Sequence, residues 1–272
     1  MNEREYSYLK GKILKLANID IDCYKEQQMR RRLDGFIARH SPQGVIAYCN
    51  TLERDRGRLH ELLAFLTINV SEFWRDVAQF RTLKEVVLPQ LLARSPRLNI
   101  WSAACSRGQE PYTIAIVLEE LCPARRHRIL ATDIDQDALA YASAGGPYPP
   151  SDIKNVERHL LERYFVETDK GFSVADCIKK RVEFRHHNLL YDPFDEGFDL
   201  VLCRNAIIYF CDSVRDRLFA KFNRCLKEGG VLFVGGSEVM LRPGDIGFVH
   251  MMPSFYRKLH SVAEEAATAG AL

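Results

Sequence analysis

The chain has 272 residues, 47% hydrophobic and 27% charged, enough for one sizeable core and a smaller one, which excludes disorder, a collagen repeat and a minimal disulfide scaffold. At roughly 150 residues per domain the length predicts one or two domains. The 38 basic and 36 acidic side chains differ by only +2, so any surface for a polyanion must be local.

No window reaches the ~20 consecutive apolar residues that cross a bilayer. The opening Met1-Asn2-Glu3-Arg4-Glu5 is charged and has no apolar run behind it, so neither membrane insertion nor secretion is expected and the chain is assigned to the cytoplasm.

Residues 1–95 read as helices throughout. Tyr6, Leu9, Ile13 and Leu16 recur at three- and four-residue intervals, as do Met29, Leu33, Phe36 and Ile37, each set forming one apolar stripe. Arg30, Arg31, Arg32 and Arg39 place positive charge along the second of these helices. Ser41-Pro42 predicts a helix start, since Ser caps free N–H groups and Pro at the first turn sacrifices no bond. A further helix runs through Leu59, Leu62, Leu63 and Leu66 until Ile68-Asn69-Val70-Ser71 breaks the pattern. A long helix from Asp76 to Leu92 then leads to the expected junction at Ser95-Pro96.

From Leu98 onward, short β-rich runs alternate with amphipathic stretches, which predicts βαβ units around a parallel sheet. The strands are Leu98–Ala103, Arg128–Thr132, Val182–His187, Phe198–Cys203 and Val231–Gly235, with helices Glu110–Leu121, Gln136–Ser143 and Val214–Lys227, the last ended by Gly229-Gly230. A short β insertion is expected near 171–182, and an antiparallel edge pair from Gly247-Phe248-Val249-His250 and Ser254–Leu259. The fold class is thus α/β, a doubly wound domain over 96–260 preceded by a small all-α domain over 1–95, with a frayed tail at 261–272. The eight cysteines are scattered, most in apolar runs, and form no C-x-x-C pair; the eight histidines lack H-E-x-x-H spacing. Buried reduced thiols and no metal are expected. His186 and His187 are neighbours on a strand, so their rings should face opposite ways.

In such a sheet, ligands bind outside the carboxyl ends of the strands. The first strand ends in Ala103-Ala104-Cys105-Ser106-Arg107-Gly108-Gln109-Glu110, small residues that let a ligand approach the backbone, without the Gly-Lys-Ser/Thr of a phosphate loop. Asp133, ending the second strand, stands where a carboxylate accepts from both hydroxyls of a ribose, while Asp135 caps the next helix. Asn188 ends the third strand, as an adenine contact or a turn residue. Asn205 ends the fourth with Tyr209 just beyond, and its amide both donates and accepts, which suits a zwitterion.

The ordered combination Leu66-Thr67-Ile68-Asn69-Val70-Ser71-Glu72-Phe73-Trp74-Arg75, Trp101–Tyr112, Ala131–Asp135, Cys203–Phe210 and Gly229–Glu238 resembles the CheR-type chemotaxis receptor protein-glutamate O-methyltransferases over residues 5–258. The resemblance implies a Rossmann-like domain that uses S-adenosylmethionine, with S-adenosylhomocysteine as product, and a helical domain that recognises substrate. It implies a cofactor site of Asn69, Ser71, Arg75, Glu110, Asp133, Asn188, Leu189, Asn205 and Ala206, with Arg75 and Tyr209 nearest the transferred methyl. It also implies a partner, the cytoplasmic helical domain of a methyl-accepting chemoreceptor, drawn to Arg30, Arg31 and Arg39; no nucleic acid is expected, and a monomer is. Ser71 stands for the family's usual Thr, Arg107 and Gln109 for a Thr and a Glu, and Gly236 for a His. The insertion here allows only a short hairpin where peptide-tethered members carry a β unit, so direct binding to receptor helices is expected.

A glutamate acceptor, with an ordinary pKa of about 4.3, is already ionised at neutral pH. No general base is needed, in keeping with the lack of a Ser-His-Asp or Cys-His set. A methyltransferase for a small molecule or nucleic acid, and a non-catalytic cofactor-responsive module, are the alternatives.

Overall fold

The computed structural model describes residues 1–41 and 43–259. They divide into two compact units, one of Met1–Ile68 with Ile207–Asp216, the other of Asn69–Ala206 with the chain from Arg217 onward. The tail expected at 261–272 lies outside the described residues.

The first unit opens with α1 (Glu3–Ala17), started by a capping box in which Asn2 and Glu5 satisfy each other's main-chain N–H. Its Tyr6, Leu9 and Ile13 are buried, as are Met29, Leu33, Phe36 and Ile37 of α2 (Glu26–His40). The helix expected at Ser41-Pro42 starts later: α3 is Val45–Leu52 with Gly44 as its cap, and Ser41 instead closes α2 by donating its N–H to the Ile37 carbonyl at 2.8 Å. Pro42 is outside the described residues. Asp55 caps α4 (Arg56–Thr67) by accepting from Gly57 and Arg58 N–H. The returning segment joins this unit through Lys25 N–H to the Tyr209 carbonyl and Cys211 N–H to the Cys23 carbonyl, both 2.9 Å. The Tyr24 and Phe210 rings meet at 4.9 Å.

The second unit begins with one continuous helix, α5 (Val77–Thr82) and α6 (Leu88–Arg94) joined by a π turn over Leu83–Val87. The wide turn sits just ahead of Pro89, which has no N–H to give and whose ring crowds the carbonyl four residues back. Leu88 N–H reaches Leu83 instead. Then follow β1 (Asn99–Ala103), α7 (Gln109–Leu121), β2 (Arg128–Asp133), α8 (Gln136–Ala144) and α9 (Arg158–Tyr164). A hairpin of β3 (Phe165–Thr168) and β4 (Gly171–Val174) precedes α10 (Asp176–Lys179), β5 (Val182–His186) and β6 (Phe198–Cys203). The chain closes with α11 (Asp212–Cys225), β7 (Leu226–Val234), β8 (Phe248–Met252) and β9 (Phe255–Lys258).

Seven strands form one sheet in the order β5-β2-β1-β6-β7-β9-β8, with the first five parallel and β9 and β8 antiparallel to their neighbours. The chain winds outward from β1 to β2 and β5, then returns to β6 on the other side. Its topological switch point therefore lies between the carboxyl ends of β1 and β6. Ile100, Leu200, Leu202, Val231 and Phe233 of the sheet share one core with Phe80, Leu83, Val87, Leu88 and Leu91. Each such side chain contributes roughly 1.5–3 kcal/mol over an exposed one. Because the 77–94 helix is buried there, the contact boundary falls at residue 68 rather than 95.

Two further expectations change. Gly229-Gly230 do not end a helix; they lie inside β7, where the β6 register slips between Phe198 and Leu200 and Gly229 takes φ 68°, as a bulge requires. The insertion starts earlier than 171, since Phe165–Thr168 supplies its first strand. All eight cysteines are free thiols, but only Cys49, Cys105, Cys203 and Cys225 are buried; Cys23, Cys122 and Cys211 are half-buried and Cys177 is exposed. His186, the last residue of β5, is exposed, and His187, expected on the same strand, lies just past its end and is buried. Among the described residues no group of three metal-ligating side chains occurs, and no helix is long and apolar enough to cross a membrane.

Candidate active site

The turn after β1 is built from left-handed residues: Ala104, Ser106 and Gly108 have φ of 63°, 50° and 88°. A Cβ at Gly108 would lie 2.8 Å from that of Ala142, so only glycine fits. Cys105 N–H donates to the Thr132 carbonyl at 2.9 Å, and Ser106 N–H to Asp133 Oδ2 at 2.7 Å. Asp133 Oδ1 accepts from Asp135 N–H at 2.9 Å. Asp133 is buried, and burial pushes its pKa above the usual carboxylate range while the Asp135 and Ser106 amides pull it back. Asn69 closes the cluster, donating to Asp135 Oδ2 at 2.6 Å and accepting from Ser106 Oγ at 2.9 Å. Asp135 Oδ1 caps α8 through Asp137 and Ala138 N–H.

The ends of β1 and β6 meet through Glu110, in the first turn of α7. Its carboxylate accepts from Ser102 Oγ at 2.7 Å and from Arg204 Nη1 at 3.2 Å. Asn205, at φ 59°, donates its N–H to Glu238 Oε2 at 2.8 Å, and Gly235 N–H reaches the same oxygen at 2.7 Å. Asn205 Oδ1 is buried with no protein partner, an open acceptor. The buried Cys203 thiol is pushed well above its usual pKa by burial first, then by Glu238, Glu110 and Asp133. Burial, Asp133 and Glu110 do the same to Cys105. Neither is a thiolate nucleophile. Three carboxylates against the one Arg204 guanidinium make this edge suited to a cation.

The other expected residues are distributed as follows. The Ser71 carbonyl accepts from Gln109 Nε2 at 3.4 Å, and the buried Gln109 also donates to Asp152 at 2.9 Å. Arg75 Nη1 donates to the Val70 carbonyl at 2.9 Å. Asn188, past the end of β5, is buried and accepts from Leu190 N–H at 2.9 Å, and the Leu189 carbonyl accepts from Lys221 Nζ at 2.9 Å. Ala206 is half-buried beside Asn205. Tyr209 belongs to the helical unit. There Arg30 is committed to Glu3 at 2.9 Å and lies over the Tyr6 ring, Arg32 donates to the Phe65 carbonyl at 2.6 Å, and Arg31 and Arg39 are exposed. Arg107, the unusual residue of the turn, lies over the Tyr141 ring at 5.2 Å. Sequence reasoning, with the family resemblance, brought Asn69, Glu110, Asp133 and Asn205 to the carboxyl edge but missed Arg204 and Glu238; for Arg204 the one signal was a charge straight after the apolar run Leu200–Cys203, and Glu238 carried none.

Residues 69–253 match the family described as CheR methyltransferase, SAM binding domain, and residues 4–67 match its all-alpha domain. The chain is 36% identical over 257 residues to the chemotaxis protein methyltransferase of Listeria monocytogenes, covering 94% of this chain and 98% of that one. It is 33% identical over 237 residues to chemotaxis protein methyltransferase 1 of Pseudomonas aeruginosa, covering 83% and 86%. The chain belongs to the CheR methyltransferase family. As a CheR-family member it is an S-adenosylmethionine-dependent methyltransferase, and the edge fits that cofactor. The three carboxylates suit a sulfonium and an ammonium, the orphan Asn205 Oδ1 suits an ammonium donor, and the Gly108 turn allows close approach to the backbone.

Proposed function

We propose that the protein esterifies glutamate side chains on the cytoplasmic helical domain of a chemoreceptor, acting in the cytoplasm in sensory adaptation. The observation that carries this reading is the acidic carboxyl edge around Glu110, Asp133 and Glu238, paired with the absence of any reactive thiolate or triad there among the described residues. When bound, S-adenosylmethionine supplies a methyl on a cationic sulfur, open to in-line displacement by a carboxylate oxygen. Asp133 uses one lone pair of each oxygen on a main-chain amide, which leaves two for a ribose diol. Asn205 and Glu110 hold the amino-acid end, Asn69, Ser71, Asn188, Leu189 and Ala206 frame the remainder, and Arg75 and Tyr209 serve the methyl end. The protein's main contribution is orientation, worth about 7–11 kcal/mol in favourable systems. Arg31 and Arg39 attract the acidic substrate, whereas the Arg30 charge is already taken by Glu3.

The test is transfer of a radioactive methyl to receptor cytoplasmic fragments, with release of the label in mild base. A base-stable product would move the assignment to another substrate class, and no labelling of any fragment would remove it. Since β3 and β4 have only four residues each, direct docking on receptor helices is preferred to a peptide tether. A receptor lacking its C-terminal peptide should still be captured.

A further inference from the structure

Arg204 follows β6 directly, and its side chain is only 2% exposed. Its Nη1 donates to Glu110 at 3.2 Å. Its Nη2 is shared by the Arg75 carbonyl at 2.9 Å, Asp76 Oδ2 at 2.7 Å and Gln79 Oε1 at 3.4 Å. The guanidinium lies over Phe80 and Phe233, 5.1 and 4.6 Å from the ring centroids. Burying such a charge is costly, and an apolar side chain would fill the space without that cost. What the apolar side chain could not do is hold two separate elements with one rigid fork.

The elements it holds are the ones that matter for methyl transfer. Glu110 opens α7 at the switch point. The Arg75 carbonyl sits between Trp74 and Asp76, whose φ of 52° and 62° are left-handed and strained for residues with a side chain. Such a backbone persists only where its surroundings over-determine it. Arg204 supplies hydrogen bonds to the carbonyl at its centre and to the Asp76 side chain on its flank.

We propose that Arg204 is a positioning residue for methyl transfer: its fork fixes the direction of the Glu110 carboxylate and, at the same time, the strained Trp74–Asp76 turn that carries Arg75. The inference rests on the methyltransferase reading above. A lysine at 204 would keep the charge and the ring contacts, but its single ammonium cannot serve both Glu110 and the Arg75 carbonyl in the fork's geometry.

The experiment measures S-adenosylhomocysteine affinity by calorimetry and methyl transfer to a receptor fragment, for wild type, R204K, E110Q and R204K/E110Q, each well below its melting midpoint. Wild type that binds no cofactor sinks the methyltransferase reading itself, and the inference with it. With wild type binding, R204K is expected to weaken affinity about tenfold to a hundredfold. In the E110Q background the same change should add less than about twofold, since it acts through Glu110. D76N, at a side chain 45% exposed, takes the charge from one anchor of the turn and leaves Glu110 untouched. It should lower kcat about tenfold and leave the cofactor KM unchanged, a split that general loosening would not give. Wild-type affinity in R204K, or R204K and E110Q losses that simply multiply, overturns the proposal. Should R204K fail to fold, an unchanged kcat in D76N overturns it.

Discussion

Asp133 illustrates how a side chain is drawn into scaffolding while keeping capacity for a ligand. Asp133→Ala would orphan the Ser106 and Asp135 amides, at about 1–3 kcal/mol each. Urea unfolding should show a loss of at least about 2 kcal/mol, and calorimetry a loss of cofactor affinity; Asp133→Asn, keeping one acceptor, should fall between. His187 and His127 give a pH signature, since burial holds both below the usual imidazole value of 6.5. The unfolded chain then binds more protons near that value, so stability is complete above it, falls as the pH drops through it toward the folded values, and levels off below them. Melting midpoints between about pH 7 and 5 should show this decline, and His187→Gln should lessen it. At this scale Asp133 and Asn205 were legible because each closes a strand run, and Asn69 and Glu110 only through the family resemblance. Arg204 was not, since its partners Glu110 and Asp76 lie 94 and 128 positions away.

Among the elements, the central strands were readable because a strand buried on both faces is a largely apolar run; every residue of Phe198–Cys203 is buried, and its one charge, Asp199, is paired with Lys227. The hairpin's first strand was not, since only Phe165 of Phe165–Thr168 is buried and no alternation marks it. Nor was the bulge at Gly229, because two glycines after an amphipathic stretch look like a helix stop until the partner strand is known. The β1–α7 turn yields a direct prediction. Gly108→Ala forces a side chain into a left-handed backbone, about 1–2 kcal/mol, and into Ala142, about 1–3 kcal/mol more. Urea midpoints should fall accordingly, with cofactor affinity lost even where the variant stays folded.

For the whole molecule, the reading predicts a reaction without a titrating base. The kcat/KM for a receptor fragment should be level from about pH 6.5 to 8, since a glutamate acceptor is ionised well below that range; a steep rise would reveal a base. Raising salt shortens the Debye length from about 10 Å at 0.1 M to about 3 Å at 1 M. The receptor KM should therefore climb while the cofactor KM, set at a buried edge, changes little. Sequence reading found the order of a helical part and an α/β part, yet placed their junction at 95, because helical periodicity resumes after the break at Ile68–Ser71, in a helix that packs on the sheet. A linear reading also had no means of seeing that Ile207–Asp216 returns to the helical unit. That return governs how the protein can be dissected. A fragment cut at residue 69 would carry Ile207 and Phe210 stripped of Tyr24 and Lys25, so transplanting the helical module onto a relative means exchanging a second, ten-residue piece along with it.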